Sequence, residues 1–84
     1  MRIDKFLKVA RIIKRRTVAN EACSAGRVSI NGKPSKAGAE VKIGDTVEIG
    51  FGERKIKLQV MSLNEHASKD EAANLYQIIE DAKK

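Results

Sequence analysis

Tryptophan is missing from this chain of 84 residues, and only three aromatic side chains are present, Phe6, Phe51 and Tyr76. Proteins that hold single-stranded nucleic acid stack successive bases on aromatic platforms. Phe6 and Tyr76 fall at positions whose spacing predicts apolar helical faces, and Phe51 alone is no platform. There is one cysteine, Cys23, and one histidine, His66. A single thiol closes no internal disulfide and makes no cysteine-based metal site, which agrees with a reducing compartment. Nucleophilic catalysis needs a nucleophile, a base and an orienting group together. Here Cys23 sits among small helical residues, His66 sits in a polar loop, and the carboxylates show no paired spacing. The six glycines stand where turns need them rather than in a phosphate-cradling motif. No catalytic residue, metal site or cofactor is expected, and the chain is not expected to be an enzyme.

Long apolar stretches are lacking too: no run exceeds three residues, against the roughly 20 that a membrane-spanning helix needs. The basic start leads into an amphipathic pattern, not the apolar core of a signal peptide. The expectation is a cytoplasmic protein with no membrane partner. A chain this short makes one compact domain burying about 60–65% of its unfolded surface, with little room for a deep enclosed site.

What is present in excess is positive charge, and it is unevenly placed. Residues 1–36 hold ten Lys or Arg against two acids, a local charge of +8, while residues 37–84 hold seven against nine, a charge of −2. Such a gradient presents one face to a polyanion, and the phosphate backbone is the commonest one inside cells. For any single residue, such as Lys5 or Lys57, a solvated charge is an equally good account. That account weakens for the set Arg2, Lys5, Arg11, Arg15, Arg16, Arg27 and Lys33, which little acid neutralises.

Ile3, Phe6, Leu7 and Ala10 follow helical spacing and predict a helix over residues 2–13, with Asp4 in its first turn, where a carboxylate complements the helix dipole. After the basic turn Lys14-Arg15-Arg16, Thr17–Ala25 reads as a short helix of small residues, with Ala19, Ala22 and Cys23 suited to close packing and Gly26 as its stop. Alternation follows. Val28 and Ile30 bracket Ser29, and Asn31-Gly32 suits a tight hairpin turn. Val41 and Ile43, then Val47, Ile49 and Phe51, then Ile56, Leu58 and Val60 continue at period two, in one small, mostly antiparallel sheet. Ser68-Lys69-Asp70-Glu71 is a capping box ahead of Ala72, Leu75, Tyr76 and Ile79, predicting an amphipathic acidic helix. The fold class is α+β: two N-terminal helices packed on the sheet, over residues 1–66, with a C-terminal amphipathic helix over 67–84 docked on the same domain.

Two helices joined by a turn also describe a DNA-reading helix-turn-helix. The helix Thr17–Ala25 carries no Lys or Arg, so only Thr17, Asn20, Glu21 and Ser24 could reach base edges. The cations lie on the first helix and the turn, which suits gripping the backbone of structured RNA better than reading bases.

Arg2-Ile3-Asp4-Lys5-Phe6-Leu7, Arg16-Thr17 with Ala19, the run Gly26-Arg27-Val28-Ser29-Ile30-Asn31-Gly32-Lys33-Pro34, and Val41-Lys42-Ile43-Gly44-Asp45 occur in the order that resembles the RNA-binding domain family named for small-subunit ribosomal protein S-four. The resemblance covers residues 1–49. It implies the S-four-like αL fold, in which the first two helices and the following hairpin grip ribosomal or transfer RNA. The run from Phe6 to Arg16 and the segment Glu71-Ala72-Ala73-Asn74-Leu75-Tyr76 are similar to the small ribosome-associated quality-control branch of Gram-positive bacteria. That likeness implies binding to obstructed large ribosomal subunits through ribosomal RNA and peptidyl-tRNA. It further implies alanine tailing by a partner quality-control factor that recruits alanyl-tRNA. Such a protein would be ribosome-associated, and a monomer when free. The RNA contacts it implies are Arg2, Lys5, Arg15 and Arg16, then Arg11, Arg27, Asn31 and Lys33, with Lys8 on the same basic surface. Three other readings share this sequence. One is a heat-shock factor that rescues dissociated large subunits carrying nascent chains, although its members usually end in a basic extension. The others are an interaction protein binding through the acidic helix, and an accessory domain that binds structured RNA generally.

Overall fold

The computed structural model describes residues 1–83; Lys84, the last residue of the predicted terminal helix, lies outside the described residues. Two helices, α1 (Ile3–Val9) and α2 (Arg16–Ser24), precede four strands, β1 (Val28–Ile30), β2 (Lys33–Pro34), β3 (Thr46–Phe51) and β4 (Arg54–Val60). A single helical turn, α3 (Lys69–Ala72), and a 3-10 turn (Ala73–Leu75) lead into β5 (Tyr76–Lys83). The strands form one antiparallel sheet in the order β2-β1-β3-β4-β5. The class is therefore α+β, as expected.

α1 and α2 cover one face of the sheet. Ile3, Phe6, Leu7 and Ala10 of α1 and Ala19 and Cys23 of α2 are buried with Val28, Val47, Ile49, Leu58 and Val60. Small residues on α2 let the two helices approach closely, which burial of Ala19 at 0% exposure reflects. The outer face is polar. Ser29, Glu48, Lys57 and Glu80 lie in register across β1, β3, β4 and β5, and Glu48 forms ion pairs with Lys55 at 3.0 Å and Lys57 at 3.8 Å. That face is close to neutral, so the positive field belongs to the helical side.

The first helix is shorter than its apolar spacing predicts. It ends at Val9 because Arg11 takes a left-handed backbone, φ 59°. Its N–H then donates to Lys8 O at 3.0 Å and that of Ile12 to Leu7 O at 3.1 Å, the two bonds of a Schellman stop. The residue ahead of the helix, Arg2, makes no side-chain capping bond to the first helical N–H groups. Instead, those of Ile3 and Asp4 donate to Ala39 O and Ala37 O at 2.8 and 3.3 Å. The connection from β2 to β3 thus straps the N-terminus, and Val41 N–H donates to Met1 O at 2.9 Å. This accounts for a correction: Val41 and Ile43 do not belong to a sheet strand. Val41, within the strap, is buried in the core and Ile43 is 65% exposed.

Asn31 and Gly32, at φ 52° and 83°, make the two-residue turn that pairs Ile30 with Lys33. Positive φ at both positions is what a type I′ hairpin demands. Pro34, with no N–H to give, closes β2 after two residues at the sheet's edge.

The terminal segment departs most from expectation. The capping box forms in full, with Glu71 N–H donating to Ser68 Oγ and Ser68 N–H to Glu71 Oε1. Yet the helix lasts one turn, and the predicted continuation through Tyr76 and Ile79 is a strand. Tyr76, Ile78 and Ile79 favour extended backbone, and the open edge of β4 offers paired hydrogen bonds along seven residues from Arg54 to Val60. Ile79 falls at a bulge opposite Lys57 and Leu58, leaving Ile78 and Ile79 45% and 53% exposed. Asp70 and Glu71 stay in the helical turn, while Glu80 and Asp81 become strand residues.

Candidate nucleic-acid interface

Asp4 organises the basic face. Its residue is 2% exposed although it opens a surface helix. Oδ2 lies 3.3 Å from Arg2 Nη2 and 3.4 Å from Arg16 Nε, and Oδ1 accepts from Arg16 Nη2 at 3.5 Å and from Lys5 N–H at 2.8 Å. Burial raises the Asp4 carboxyl pKa. The Arg16 hydrogen bond, the Lys5 N–H and the charges of Arg16 and Arg2 outweigh that and hold it below the ordinary carboxylate value. The two guanidinium groups keep 48% and 46% of their side-chain surface. A buried anion thus fixes two half-exposed cations side by side, leaving each with donors facing out. Arg2 also lies alongside Gly38, where an added Cβ would sit 3.8 Å from its Nη2.

The remaining predicted residues divide among separate places. Lys5 reaches across to Glu65, Nζ to Oε1 at 3.0 Å; that hydrogen bond and charge lower the Glu65 pKa. Lys8 and Arg11 line a cleft of about 410 Å³ with Val9, Lys14, Glu65 and Ala67. Arg15 is the exposed residue ahead of α2. Lys33 and Lys36 line an open groove that runs past Gly38, toward Arg2. Arg27 lines a different groove, between α2 and β3, beside Val18 and Phe51. Among the described residues Lys8, Arg11, Lys14, Arg15, Arg27 and Lys33 make no ion pair.

Asn31 is occupied by the fold. Its Oδ1 accepts from Thr46 N–H at 2.9 Å and its Nδ2 donates to Asp45 Oδ1 at 3.1 Å, while Asp45 Oδ2 accepts from Lys42 N–H at 2.9 Å. The side chain ties the hairpin turn to the start of β3. Asp4 and Lys14 are the residues that reading the sequence for cations left out. A signal for Asp4 exists: it stands three residues before Leu7 on the edge of the apolar arc, inside a segment of charge +8. A carboxylate there must be paired to be buried.

Burial first, and then the Asp4 charge, raise the Cys23 thiol pKa, which leaves a buried, unreactive thiol. Among the described residues no group of three or more His, Cys, Asp or Glu could hold a metal ion, and no helix is long and apolar enough to cross a membrane.

Comparison with known proteins places this face within a shared domain. The S4 domain pattern matches residues 1–47. The RQC P-site tRNA stabilizing factor of Bacillus subtilis (strain 168) is 49% identical over 83 residues, 99% of this chain and 96% of that protein. The RQC P-site tRNA stabilizing factor of Halalkalibacterium halodurans is 47% identical over 78 residues, 93% of this chain and 89% of that one. Among solved structures, the trimeric heat shock protein 15 of Vibrio cholerae superposes with a TM-score of 0.85 at 28% identity, over 93% of this chain and 80% of its own.

Proposed function

The chain belongs to the S4 domain family and, within it, to the RQC P-site tRNA stabilizing factors, and from that premise we propose that it is a non-catalytic RNA-binding factor of ribosome-associated quality control. It binds obstructed large ribosomal subunits through ribosomal RNA and peptidyl-tRNA. By holding that tRNA it supports C-terminal alanine tailing of stalled chains by a partner that recruits alanyl-tRNA. The observation that carries this reading is the Arg2–Asp4–Arg16 cluster, two guanidinium groups set by one buried carboxylate inside the S4-matched segment. Guanidinium forks pair bidentately with phosphate. Groups held before binding lose less entropy on contact. The sheet and its strap keep the two helices in register, so the contribution is binding energy and positioning.

The test is sedimentation of the tagged protein with large subunits, wild type against Arg16→Ala, together with detection of alanine tails on stalled chains in cells carrying either form. Loss of both in the variant is the expected result. A folded Arg16→Ala protein that sediments normally would move the interface elsewhere. The heat-shock alternative is supported by the close superposition on heat shock protein 15. It predicts normal alanine tailing when the gene is deleted and accumulation of dissociated large subunits with nascent chains.

A further inference from the structure

Both N-terminal helices end in the same hydrogen-bonding pattern, with different residues at the left-handed position. In α2 that position is Gly26, φ 75°, with Gly26 N–H donating to Cys23 O at 3.0 Å and Arg27 N–H to Ala22 O at 3.0 Å. In α1 it is Arg11, φ 59°, with the corresponding bonds to Lys8 O and Leu7 O. A Cβ built on Gly26 meets nothing within 4 Å, so glycine serves there for its backbone freedom, not for room. Arg11 forgoes that freedom, since an L side chain in this region is strained. Strain of this kind persists where the side chain has work to do.

Arg11 stands over the cleft that Lys8 and Lys14 also line. All three are exposed and without an ion pair among the described residues, whereas Arg2, Lys5 and Arg16 each hold a carboxylate. The one acid lining the cleft is Glu65, already engaged by Lys5. A helix C-terminus gathers cations readily, because they complement its dipole. That effect explains Lys8, but not an arginine at the position where glycine is cheapest.

We propose that Lys8, Arg11 and Lys14 form a second phosphate-binding subsite, apart from the Arg2–Asp4–Arg16 cluster, and that Arg11 keeps its left-handed backbone in order to aim its guanidinium into it. The ligand is a phosphate of an RNA backbone. The inference rests on the RNA-binding reading above and deepens it: an RNA strand is gripped at two anchors, one pre-paired with an acid and one free. The free anchor has more charge to offer per residue, and the paired one has the better-fixed geometry.

The experiment combines thermal unfolding with sedimentation against purified large ribosomal subunits across a salt series, for Arg11→Gly, Arg11→Ala, Lys14→Ala and Arg16→Ala. Arg11→Gly is expected to melt higher, by about 2–6 °C, because glycine relieves the strained turn, while binding about tenfold more weakly. Arg11→Ala keeps the strain and loses the charge, so it binds as weakly without the gain in melting temperature. Each loss of a phosphate contact makes the log–log salt slope shallower by about 0.7–0.9. Glu65→Gln is expected to bind more tightly than Glu80→Gln, a charge-matched change on the outer sheet face. The subsite is overturned if both Arg11 variants and Lys14→Ala bind as wild type while Arg16→Ala is weakened, a result that leaves the RNA-binding reading standing. Unchanged binding in all four variants overturns both.

Discussion

Asp4 and Arg16, twelve residues apart, meet through two contacts, Oδ2 to Nε at 3.4 Å and Oδ1 to Nη2 at 3.5 Å, and Arg2 closes on the same carboxylate at 3.3 Å. The relationship joins the start of α1 to the start of α2. It makes Asp4 a positioning residue for both arginines, so the isosteric change Asp4→Asn should act on binding and stability together. Removing the charge leaves two guanidinium groups without their anchor. Because both are half exposed, water compensates in part, and the expected loss is about 1–3 kcal/mol of folding stability. Large-subunit affinity should fall although the net positive charge rises by one. Tighter binding in Asp4→Asn would show that the charge sum matters and the arrangement does not.

The same carboxylate sets a pH dependence. Its folded-state pKa lies below its unfolded value, so the unfolded chain binds the proton first as acid is added. The stabilisation is whole above the unfolded carboxylate range and drains away as pH falls through that range and on through the lowered folded value. Glu48 and Glu65 are lowered too, chiefly by the hydrogen bonds from Lys55 and Lys5, and act with the same sign, Glu48 from a half-buried position and Glu65 from an exposed one. Denaturation midpoints measured from pH 7 downward should therefore drop on the acid side, and Asp4→Asn should flatten part of that limb. An acid limb of equal steepness in wild type and variant would assign the effect to other carboxylates.

Asn31 earns its place through the fold. Asn31→Ala loses the acceptor for Thr46 N–H and the donor to Asp45, and puts alanine at φ 52°. The expected cost is about 1–3 kcal/mol in urea unfolding. Asn31→Gly should recover part of it by accepting the left-handed backbone. With both variants folded, the salt slope for large-subunit binding should match wild type. A slope reduced by one contact would make Asn31 an RNA ligand as well as a brace.

How far these features were legible depends on whether their cause was local. Asn31-Gly32 and Gly26 announce themselves, because positive φ restricts the residue type. The core faces of α1, β3 and β4 follow from periodicity alone. Arg11 hides the end of α1 because nothing in an arginine signals a left-handed backbone. The terminal strand hides for another reason. The capping box and the spacing Ala72, Leu75, Tyr76, Ile79 state a local preference for helix, and the open edge of β4, a partner sixteen or more residues earlier, overrules it. The basic face was legible as a charge gradient, and its division into a paired anchor and a free cleft was not, because Asp4 and Glu65 decide which cations are paired.

Leu75 tests that override. It is 2% exposed, and its carbonyl accepts from Met61 N–H at 2.8 Å and Ser62 N–H at 3.2 Å where the chain passes from the 3-10 turn into β5. Leu75→Ala should cost about 2–5 kcal/mol and raise hydrogen exchange along β4 as well as β5. Loss confined to residues 69–72 would instead mean that the terminal segment is held by its helical turn.

The salt dependence of binding separates a phosphate grip from base readout. Each neutralised phosphate releases counterions, giving a log–log slope of roughly −0.7 to −0.9 per contact. Of the cations that make no ion pair among the described residues, Lys8, Arg11 and Lys14 line one groove, Lys33 a second and Arg27 a third, while Arg15 is exposed ahead of α2. They cannot all face a flat duplex unless the RNA wraps the helical side. A slope of about −4 to −5 therefore requires either that wrapping or contributions from Arg2 and Arg16, whose charge Asp4 already shares. Arg27→Ala decides between them, since Arg27 lines the groove beside Phe51. A shallower slope in Arg27→Ala means the RNA reaches round α2, and an unchanged slope confines it to α1, the Arg15-Arg16 turn and the strap. A salt-insensitive interaction with large subunits would remove the phosphate grip altogether.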